Sequence, residues 1–249
     1  MKKLSFSACI IALAAFLVAC GDDEPSGPVP TVEFSKDRNF SEPGGTVTFT
    51  NNTTDGAEYF WEFGDGGISQ DENPTHTYLE TGDYTITLRA RGSGGQEASM
   101  TSTIVVGSRF VTGVNFETIP FTDPDGMAWD DDDTGPDLAL WIDITSNNID
   151  PRIFSVITDL TPTQVPFARG LEVQDQFPFT DENWSFLLIE NDEPFNEITF
   201  VDDQDALMLA AGINPLDFGL VDYQSGQGIL TLITNDESAQ IDILFQVRN

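Results

Sequence analysis

Polar and apolar residues alternate along most of the chain from residue 32 onward, which is the pattern of half-buried β-strands. Up to residue 106 the clearest predicted strands are TVTFT (46–50), EYFWEF (58–63), YTITLRA (84–90) and TSTIVV (101–106), separated by Gly, Pro and Asn. A period of two gives two strands one apolar face each, namely Tyr59, Trp61 and Phe63, and Tyr84, Ile86, Leu88 and Ala90. We expect these faces to meet in the core of an antiparallel β-sandwich.

Residues 107–249 are again strand-like and predict a second β-sandwich. The predicted strands are FVTGVNFETI (110–119), DLALWIDI (137–144), WSFLLIE (184–190), NEITFV (196–201), GILTLIT (228–234) and QIDILFQV (240–247). The last places Ile241, Ile243, Phe245 and Val247 on one face. WSFLLIE is apolar at consecutive positions, which predicts a central strand buried on both faces. DALMLAAG (205–212) is the one predicted short helix, closed by Gly212.

The first 19 residues have the layout of a secretory signal, with Lys2 and Lys3 before an apolar run. The tetrad Leu-Val-Ala-Cys at 17–20 resembles the lipobox of bacterial lipoproteins, which implies that Cys20 carries the lipid (palmitate) and begins the mature chain. A plain signal peptide is the alternative. Residues 20–31 are acidic and then rich in Pro and Gly, which predicts a flexible tether.

The acids Asp22, Asp23 and Glu24 resemble the signal that exports lipoproteins of some Gram-negative bacteria to the cell surface. We therefore expect a lipid-anchored outer-membrane protein that faces outward, with the periplasmic face as the alternative. The whole chain has 10 Lys+Arg against 42 Asp+Glu, and removal of the signal takes away two lysines. Nucleic acid is excluded as a partner because its binding requires clustered cations.

A run of spaced residues in the first domain carries a family resemblance: Trp61, Phe63, Gly64, Asp65, Gly66, Pro74, His76, Tyr78, Gly82 and Tyr84. The run resembles the signature of the polycystic kidney disease (PKD) domain, an immunoglobulin-like sandwich, and covers residues 32–106. It implies a non-catalytic spacer with protein or glycan contacts. Asp65 is expected to accept hydrogen bonds from backbone amides of its turn. His76, the only histidine, is expected to bond backbone rather than to act in catalysis or metal binding.

The segment DPDGMAWDDDDTGPD (123–137) packs seven aspartates between two predicted strands. It does not fit the EF-hand spacing, because Phe121 would occupy the first ligand position. The layout of residues 107–249 resembles the C-two domain, an eight-stranded sandwich that binds calcium between two loops. That resemblance implies calcium ligands at Asp123, Asp125, Asp130, Asp137, Glu190 and Asp192. The departure is that the second loop reads Glu-Asn-Asp where the family has Asp-x-Asp.

Residues 107–249 hold 20 Asp and 7 Glu, whereas residues 32–106 hold 5 Asp and 7 Glu. Short carboxylates can converge on one hard cation, so this bias favours calcium. A solvated acidic surface with no metal remains the alternative. Trp129, in the same segment, either caps the end of the sandwich or contacts a ligand.

Three classes of function fit this pattern. The first is a non-catalytic, lipid-anchored envelope protein, whose PKD spacer presents a calcium-stabilised sandwich for glycan or protein binding. The second is a structural subunit of an envelope complex. The third, a small glycan-active enzyme, is disfavoured because the mature chain has one histidine and no cysteine beyond Cys20 for nucleophilic catalysis. The sequence therefore predicts no enzyme activity.

Overall fold

A computed structural model describes residues 27–122, 136, 138–144, 152–157, 160–190, 206–234 and 237–249. The fold is all-β, with two tandem β-sandwiches in chain order, as the strand pattern predicted. The signal segment, Cys20 and the predicted strand 196–201 lie outside the described residues.

The first domain has eight strands in two sheets. They are β1 (Phe34–Lys36), β2 (Phe40–Ser41), β3 (Thr46–Asn51), β4 (Glu58–Glu62), β5 (Ile68–Ser69), β6 (Thr75–Thr77), β7 (Gly82–Arg91) and β8 (Glu97–Val106). One sheet has the order β1-β3-β6 and the other β2-β8-β7-β4-β5. All pairs are antiparallel except β2 with β8. The strand predictions for this domain are confirmed.

Aromatic side chains fill the core of the first domain. Trp61 and Leu88 are fully buried and belong to neighbouring strands, since the register pairs them directly. The two predicted apolar faces therefore lie side by side on one sheet instead of opposing each other. Val47 and Phe49 of β3 cover them from the other sheet, and Phe49 lies 5.5 Å from Trp61 between ring centroids. Tyr59 and Tyr84 are only partly buried at the margins.

The second domain contains sheets of four and five strands. Its strands are β9 (Ser108–Thr118), β10 (Leu138–Ile144), β11 (Arg152–Ile157), β12 (Phe167–Gly170), β13 (Trp184–Glu190), β14 (Ala206–Ile213), β15 (Leu220–Asp222), β16 (Gln227–Ile233) and β17 (Gln240–Arg248). The sheet orders are β11-β10-β13-β14 and β12-β9-β17-β16-β15. The described part of this domain thus has nine strands, one more than the C-two resemblance implies. The helix α1 (Pro215–Phe218) connects β14 to β15.

The inner faces of these two sheets form a single core. The predicted apolar face of β17 is buried, from Ile241 to Val247. Strand β13 is central in its sheet, as predicted, with Phe186 and Leu188 buried. Ser185 and Leu187, on its other face, are only partly buried, so the expectation of burial on both faces is wrong. A two-layer sandwich covers one face of each sheet, which explains the difference.

The predicted helix at 205–212 is wrong, because Ala206–Ile213 forms strand β14 at the edge of the four-stranded sheet. Eight residues make a marginal helix, whereas pairing with β13 satisfies their backbone groups. Gly212 has a φ of 65°, the left-handed region in which glycine is favoured. It lies where the register of β13 and β14 shifts, so this glycine belongs to a β-bulge instead of a helix end.

The chain enters the first domain at the end opposite the second domain. Pro28 and Pro30 lie against Gly92, in the turn that joins β7 to β8. The far end of that hairpin pairs Gly82 with Val106, and β9 begins two residues later at Ser108. Ten-residue strands span about 30 Å at roughly 3.3 Å per residue. The first domain therefore separates its N-terminal end from the second domain by about the length of this hairpin.

Candidate functional site

The predicted calcium ligands fall almost entirely outside the described residues. Asp123, Asp125, Asp130, Asp137 and Asp192 are among the residues that the structure does not describe, as is Trp129. Glu190 is described only as the last residue of β13. Its backbone pairs with Leu138, the first residue of β10. Segments 119–137 and 191–205 therefore adjoin β10 and β13 at the same end of their sheet. No group of three potential metal ligands occurs within the described ranges.

That end of the sheet is the one distant from the first domain. Strand β9 runs from Ser108 at the junction to Thr118, and β17 pairs Gln240 with Thr118 and Arg248 with Ser108. In the other sheet, Trp184 pairs with Ile213, two residues before Pro215, whose carbonyl bonds Arg109 at the junction. The pair of Leu138 and Glu190 lies at the opposite end of β10 and β13.

His76 is held by a carboxylate, not by backbone as predicted. Its Nε2 lies 2.7 Å from Oδ2 of Asp65, and its ring stacks on Phe63 at 4.2 Å between centroids. Asp65 also accepts the Gly67 amide at 2.9 Å through Oδ1, which confirms the predicted turn contact. Burial alone would raise the pKa of Asp65. The hydrogen bonds from His76 and Gly67 outweigh this effect, so the pKa lies below its ordinary value. This pair fastens the β4–β5 turn to β6.

Next to this pair, Tyr78 is a buried phenol with a structural bond. Its hydroxyl donates to the Phe63 carbonyl at 3.1 Å. Burial raises its pKa well above the ordinary value, and the nearby charge of Asp65 adds to the effect. A phenol with a raised pKa stays protonated, so it serves as a donor to the backbone and not as a base.

The junction between the domains is built around one buried arginine. Arg109, on β9, is 6% exposed and donates from Nε and Nη2 to the two carboxylate oxygens of Glu42 at 2.9 and 3.0 Å. Its Nη1 reaches the carbonyls of Pro215 and Gly219 at 3.2 and 3.3 Å. Glu42 belongs to the first domain and the carbonyls to the second. One guanidinium thus ties both domains together with bidentate geometry.

Tyr223 completes this junction cluster. Its hydroxyl donates to Oε2 of Glu42 at 2.9 Å, and burial followed by this hydrogen bond raises its pKa. Its carbonyl accepts the amides of Asn39 and Phe40, both at 2.9 Å. Close packing reinforces these bonds, because a Cβ on Gly226 would lie 2.7 Å from the Phe40 ring.

A groove of about 820 Å³ lies on the outer face of the β5-β4-β7-β8 part of the PKD-like sheet. The lining side chains come from β4, β7, β8 and the turn after β5, and include Phe60, Arg89, Arg91, Glu58 and Glu97. The Arg89 guanidinium lies 4.9 Å from the Phe60 ring centroid and 3.0 Å from Glu62. We call this feature the sheet groove. Glu62 is the ion-pair partner of Arg89 and does not line it.

Neither the junction cluster nor the sheet groove was predicted from the sequence. A signal for each was present in the strand pattern. Arg109 interrupts an otherwise apolar inward face of β9, where a charged side chain requires a partner. Phe60, Arg89 and Arg91 alternate with the core residues of their strands, so they share the outer face.

Among the residues that the structure describes, no helix is long and apolar enough to cross a membrane.

The PKD domain family matches residues 31–105. Collagenase ColA of Bacillus cereus is 32% identical over 93 residues, which are 36% of this chain and 9% of the collagenase. A microbial collagenase of Vibrio alginolyticus is 37% identical over 68 residues, 25% of this chain and 8% of that protein. The chain therefore spans less than a tenth of the length of these curated relatives.

Solved structures similar to this chain include the PKD1 domain of Vibrio anguillarum Epp, with 27% identity and a TM-score of 0.29, covering 32% of this chain and 95% of that one. A structure described as a carbohydrate-binding module of the β-sandwich superfamily has 15% identity and a TM-score of 0.31, covering 90% of this chain and 93% of that one. The family match and the ten motif residues agree on the first domain. Residues 31–105 of this chain are a PKD domain.

Proposed function

We propose that this protein is a non-catalytic, lipid-anchored component of the bacterial cell envelope. In it the PKD domain is a rigid spacer that presents the second sandwich for binding of a glycan or protein. The observation that carries the proposal is that the chain enters and leaves the first domain at opposite ends. The chain enters beside the turn at Gly92 and leaves at Val106, at the other end of a ten-residue hairpin. A lipid on Cys20 would thus lie on the side away from the second domain.

Rigidity is supported by the junction cluster. If the two domains moved freely relative to each other, the second domain would have no fixed distance from the anchor. Side-chain hydrogen bonds of Arg109, Glu42 and Tyr223 instead join the domains. Only Gly107 separates β8 from β9, and its amide donates to the Ser41 carbonyl at 3.0 Å. Breaking these contacts would leave the buried Arg109 charge without its partner, which is costly.

Calcium is part of this proposal, at the end of the second domain distant from the anchor. The pairing of Leu138 with Glu190 supports it, since Asp137 precedes the first of these residues and Asp192 follows the second. Two acidic segments adjoining one sheet end resemble a two-loop calcium site. A calcium affinity in the range of about 10⁻⁴ to 10⁻³ M would be sufficient outside the cell.

We propose that the protein is not an enzyme because its candidate catalytic residues have other roles. His76 is engaged by Asp65 and stacked on Phe63, so its imidazole serves the fold. The sequence contains no second histidine, and Cys20 is assigned to the lipid. Nucleophilic catalysis by a Ser-His or Cys-His pair therefore has no candidate residues.

Double electron–electron resonance tests the spacer. Spin labels on Ser93→Cys and Thr118→Cys, in a chain that starts at residue 21 and so lacks Cys9 and Cys20, lie at opposite ends of β8 and β9. At about 3.3 Å per residue these strands reach at most about 70 Å, and we expect one narrow distance distribution below that limit. A broad distribution would refute a rigid spacer. Lipid anchoring is tested separately by fatty-acid labelling of the full chain in a Gram-negative host, with Cys20→Ala as control. Equal labelling of both chains would refute the anchor.

A further inference from the structure

Three aliphatic side chains form a row across the outer face of the five-stranded sheet in the second domain. Leu220 of β15 pairs directly with Ile229 of β16, which pairs with Leu244 of β17. Side chains at directly opposed positions lie on the same face of a sheet. Ile229 precedes the buried Leu230, and Leu244 precedes the buried Phe245, so the row faces away from the core. We call Leu220, Ile229 and Leu244 the apolar row.

The row is most exposed at the edge of the sheet, where Phe218 extends it. Leu220 is 80% exposed, Phe218 62% and Ile229 42%, and β15 is the last strand of its sheet. Phe218 and Leu220 flank Gly219, whose backbone is extended and whose Cβ would lie 3.0 Å from the core residue Phe245. Because side chains alternate along an extended chain, Phe218 and Leu220 point away from the core. Contiguous exposed apolar side chains of this kind mark an interaction surface.

Polar side chains bound the row on both sides. Two residues along the strands in one direction, Asp222, Gln227 and Gln246 form a parallel row on the same face. In the other direction Thr231 pairs with Asp242, and the Thr231 hydroxyl donates to the Asp242 carboxylate at 2.7 Å. Each aspartate thus lies about 7 Å from the apolar row at about 3.3 Å per residue. An apolar centre with a polar rim is the arrangement of a protein–protein contact.

The width of the row limits what it can seat. The next partner of Leu244 is Gly113 on β9, which pairs with Gly170 on β12. Neither glycine has a side chain, so the row ends at Leu244 and spans three strands, about 10 Å at about 4.8 Å between neighbours. Such a row seats a few side chains of a partner, whereas a stable dimer buries roughly 800 Å² on each subunit.

Charge selects the partner. The Gln224 amide and the Ser225 hydroxyl donate to the Asp222 carboxylate at 3.0 and 2.8 Å, and these bonds hold the pKa of Asp222 below its ordinary value. Within β15, β16 and β17 the one cation is Arg248, whose guanidinium lies over the Phe110 ring at 4.1 Å. A second copy would bring the same aspartates together, and an anionic lipid surface would be repelled. Lysine and arginine side chains are attracted.

We propose that the apolar row docks a protein segment in which apolar side chains are flanked by lysine or arginine. The apolar side chains pack on Leu220 and Ile229, and the cations lie beside Asp222 and Asp242. This inference rests on the proposed role of the second sandwich as the binding domain. It names a protein as the ligand and places the docking surface beside the junction, since Gly219, next to Leu220, accepts a hydrogen bond from Arg109.

The probe is the fluorescently labelled peptide KLKLKLK, and its binding to the chain from residue 21 onward is measured by fluorescence anisotropy. We expect it to bind at least about tenfold more tightly than KSKSKSK, equivalent to about 1.4 kcal/mol, because only the first peptide can cover the apolar row. ELELELE should not bind. Affinity for KLKLKLK should fall as salt rises, because part of the attraction is screened.

Two substitutions test the location. Leu220→Ser and Ile229→Thr should each weaken binding of KLKLKLK at least about fivefold, because each removes apolar contact area. Leu79→Ser, at a leucine of the first domain that is 76% exposed, is the matched control for Leu220→Ser and should bind as wild type does. Ile229→Thr keeps a β-branched side chain in the strand, so it keeps the test valid if Leu220→Ser disturbs β15.

Several results would overturn the proposal. Equal affinity for KLKLKLK and KSKSKSK would show that charge alone attracts the peptide. Wild-type affinity in both row variants, or a loss confined to Asp123→Ala with Asp137→Ala, would place the peptide elsewhere. A dimer in sedimentation equilibrium that Leu220→Ser dissociates would assign the row to a second copy. None of these results bears on the anchor or the spacer, which fatty-acid labelling and spin-label distances test separately.

Discussion

Arg109 and Glu42 face each other across the domain boundary with two nitrogen–oxygen distances of 2.9 and 3.0 Å. Their side chains are only 7% and 21% exposed. Each residue is supplied by a different domain, so neither sandwich alone satisfies the pair. The stability of the second domain is therefore coupled to the presence of the first.

Glu42→Ala should destabilise the protein by about 3 kcal/mol, because it leaves the buried Arg109 guanidinium without its carboxylate. Urea unfolding of the full chain measures this free energy. Glu62→Ala removes the partner of Arg89 in an exposed pair, with side chains 50% and 47% exposed, and should cost about 0.5 kcal/mol. Equal costs for the two variants would contradict the assignment of the junction.

The isolated second domain, residues 107–249, should melt at a lower temperature than the same domain in the full chain. Removal of residues 1–106 takes away Glu42, the partner of Arg109, and Phe40, whose ring packs against Gly226. A loss of about 1–2 kcal/mol corresponds to roughly 5 °C for a domain of this size. Differential scanning calorimetry of both chains measures the shift. Identical melting temperatures would show that the junction contributes no stability.

Stability should depend on Asp65 in the acid range. Its pKa in the folded state lies below the unfolded value near 3.9, so its contribution is present above that pH and is lost as pH falls through the folded pKa. The difference in unfolding free energy between wild type and Asp65→Asn should be largest above about pH 4 and shrink toward pH 2. Urea titrations at several pH values measure it. A difference that is constant with pH would exclude this linkage.

Gly228→Ala should destabilise the second domain by about 2 kcal/mol through overpacking. A Cβ at this position would lie 2.2 Å from the Phe245 ring and 2.6 Å from the Leu220 carbonyl oxygen. Gly170→Ala is the control, since a Cβ there meets nothing within 4 Å. Thermal unfolding distinguishes the two. If both substitutions were neutral, the packing of Phe245 over β16 would be wrong.

Calcium at 5 mM should raise the melting temperature of the full chain, and magnesium should not. With a dissociation constant of about 10⁻⁴ to 10⁻³ M, calcium at this concentration would add about 1–2.3 kcal/mol to the free energy of unfolding. The Asp123→Ala, Asp137→Ala double variant should lose this increase. An equal shift in wild type and variant would remove these aspartates as ligands.

The strand pattern was sufficient to predict two sandwiches, because a period of two determines which side chains enter a core. Trp61, Leu88 and Ile243 lie where the alternation placed them. It failed at 205–212, where the apolar run fits a helix or a strand equally well and pairing with β13 decides between them. Strand β12, Phe167–Gly170, was missed because it is short and its side chains are mostly exposed.

The strand pattern marks Arg109 as inward-facing and Phe60, Arg89 and Arg91 as outward-facing, but their partners could not be predicted because the contacts join distant residues. Arg109 and Glu42 are 67 positions apart, and Arg109 and Gly219 are 110 apart. The local alternation of polar and apolar residues carries no information on which distant residues come into contact. For His76, we predicted a bond to backbone, but the partner is the Asp65 carboxylate, 11 positions away in the turn between β4 and β5.

The C-terminal residues lie at the middle of the molecule. A Cβ on Gly107 would lie 2.0 Å from the Arg248 carbonyl, so the last strand ends beside the link between the domains. A tag fused after Asn249 would therefore emerge beside the junction between the domains, next to Phe110. The Arg248 guanidinium lies 4.1 Å from the centroid of the Phe110 ring. Reporters intended for the outermost tip belong in the turn between β16 and β17, where Glu237 is exposed. Antibodies to these two sites would therefore bind at different distances from the N-terminal end of the first domain.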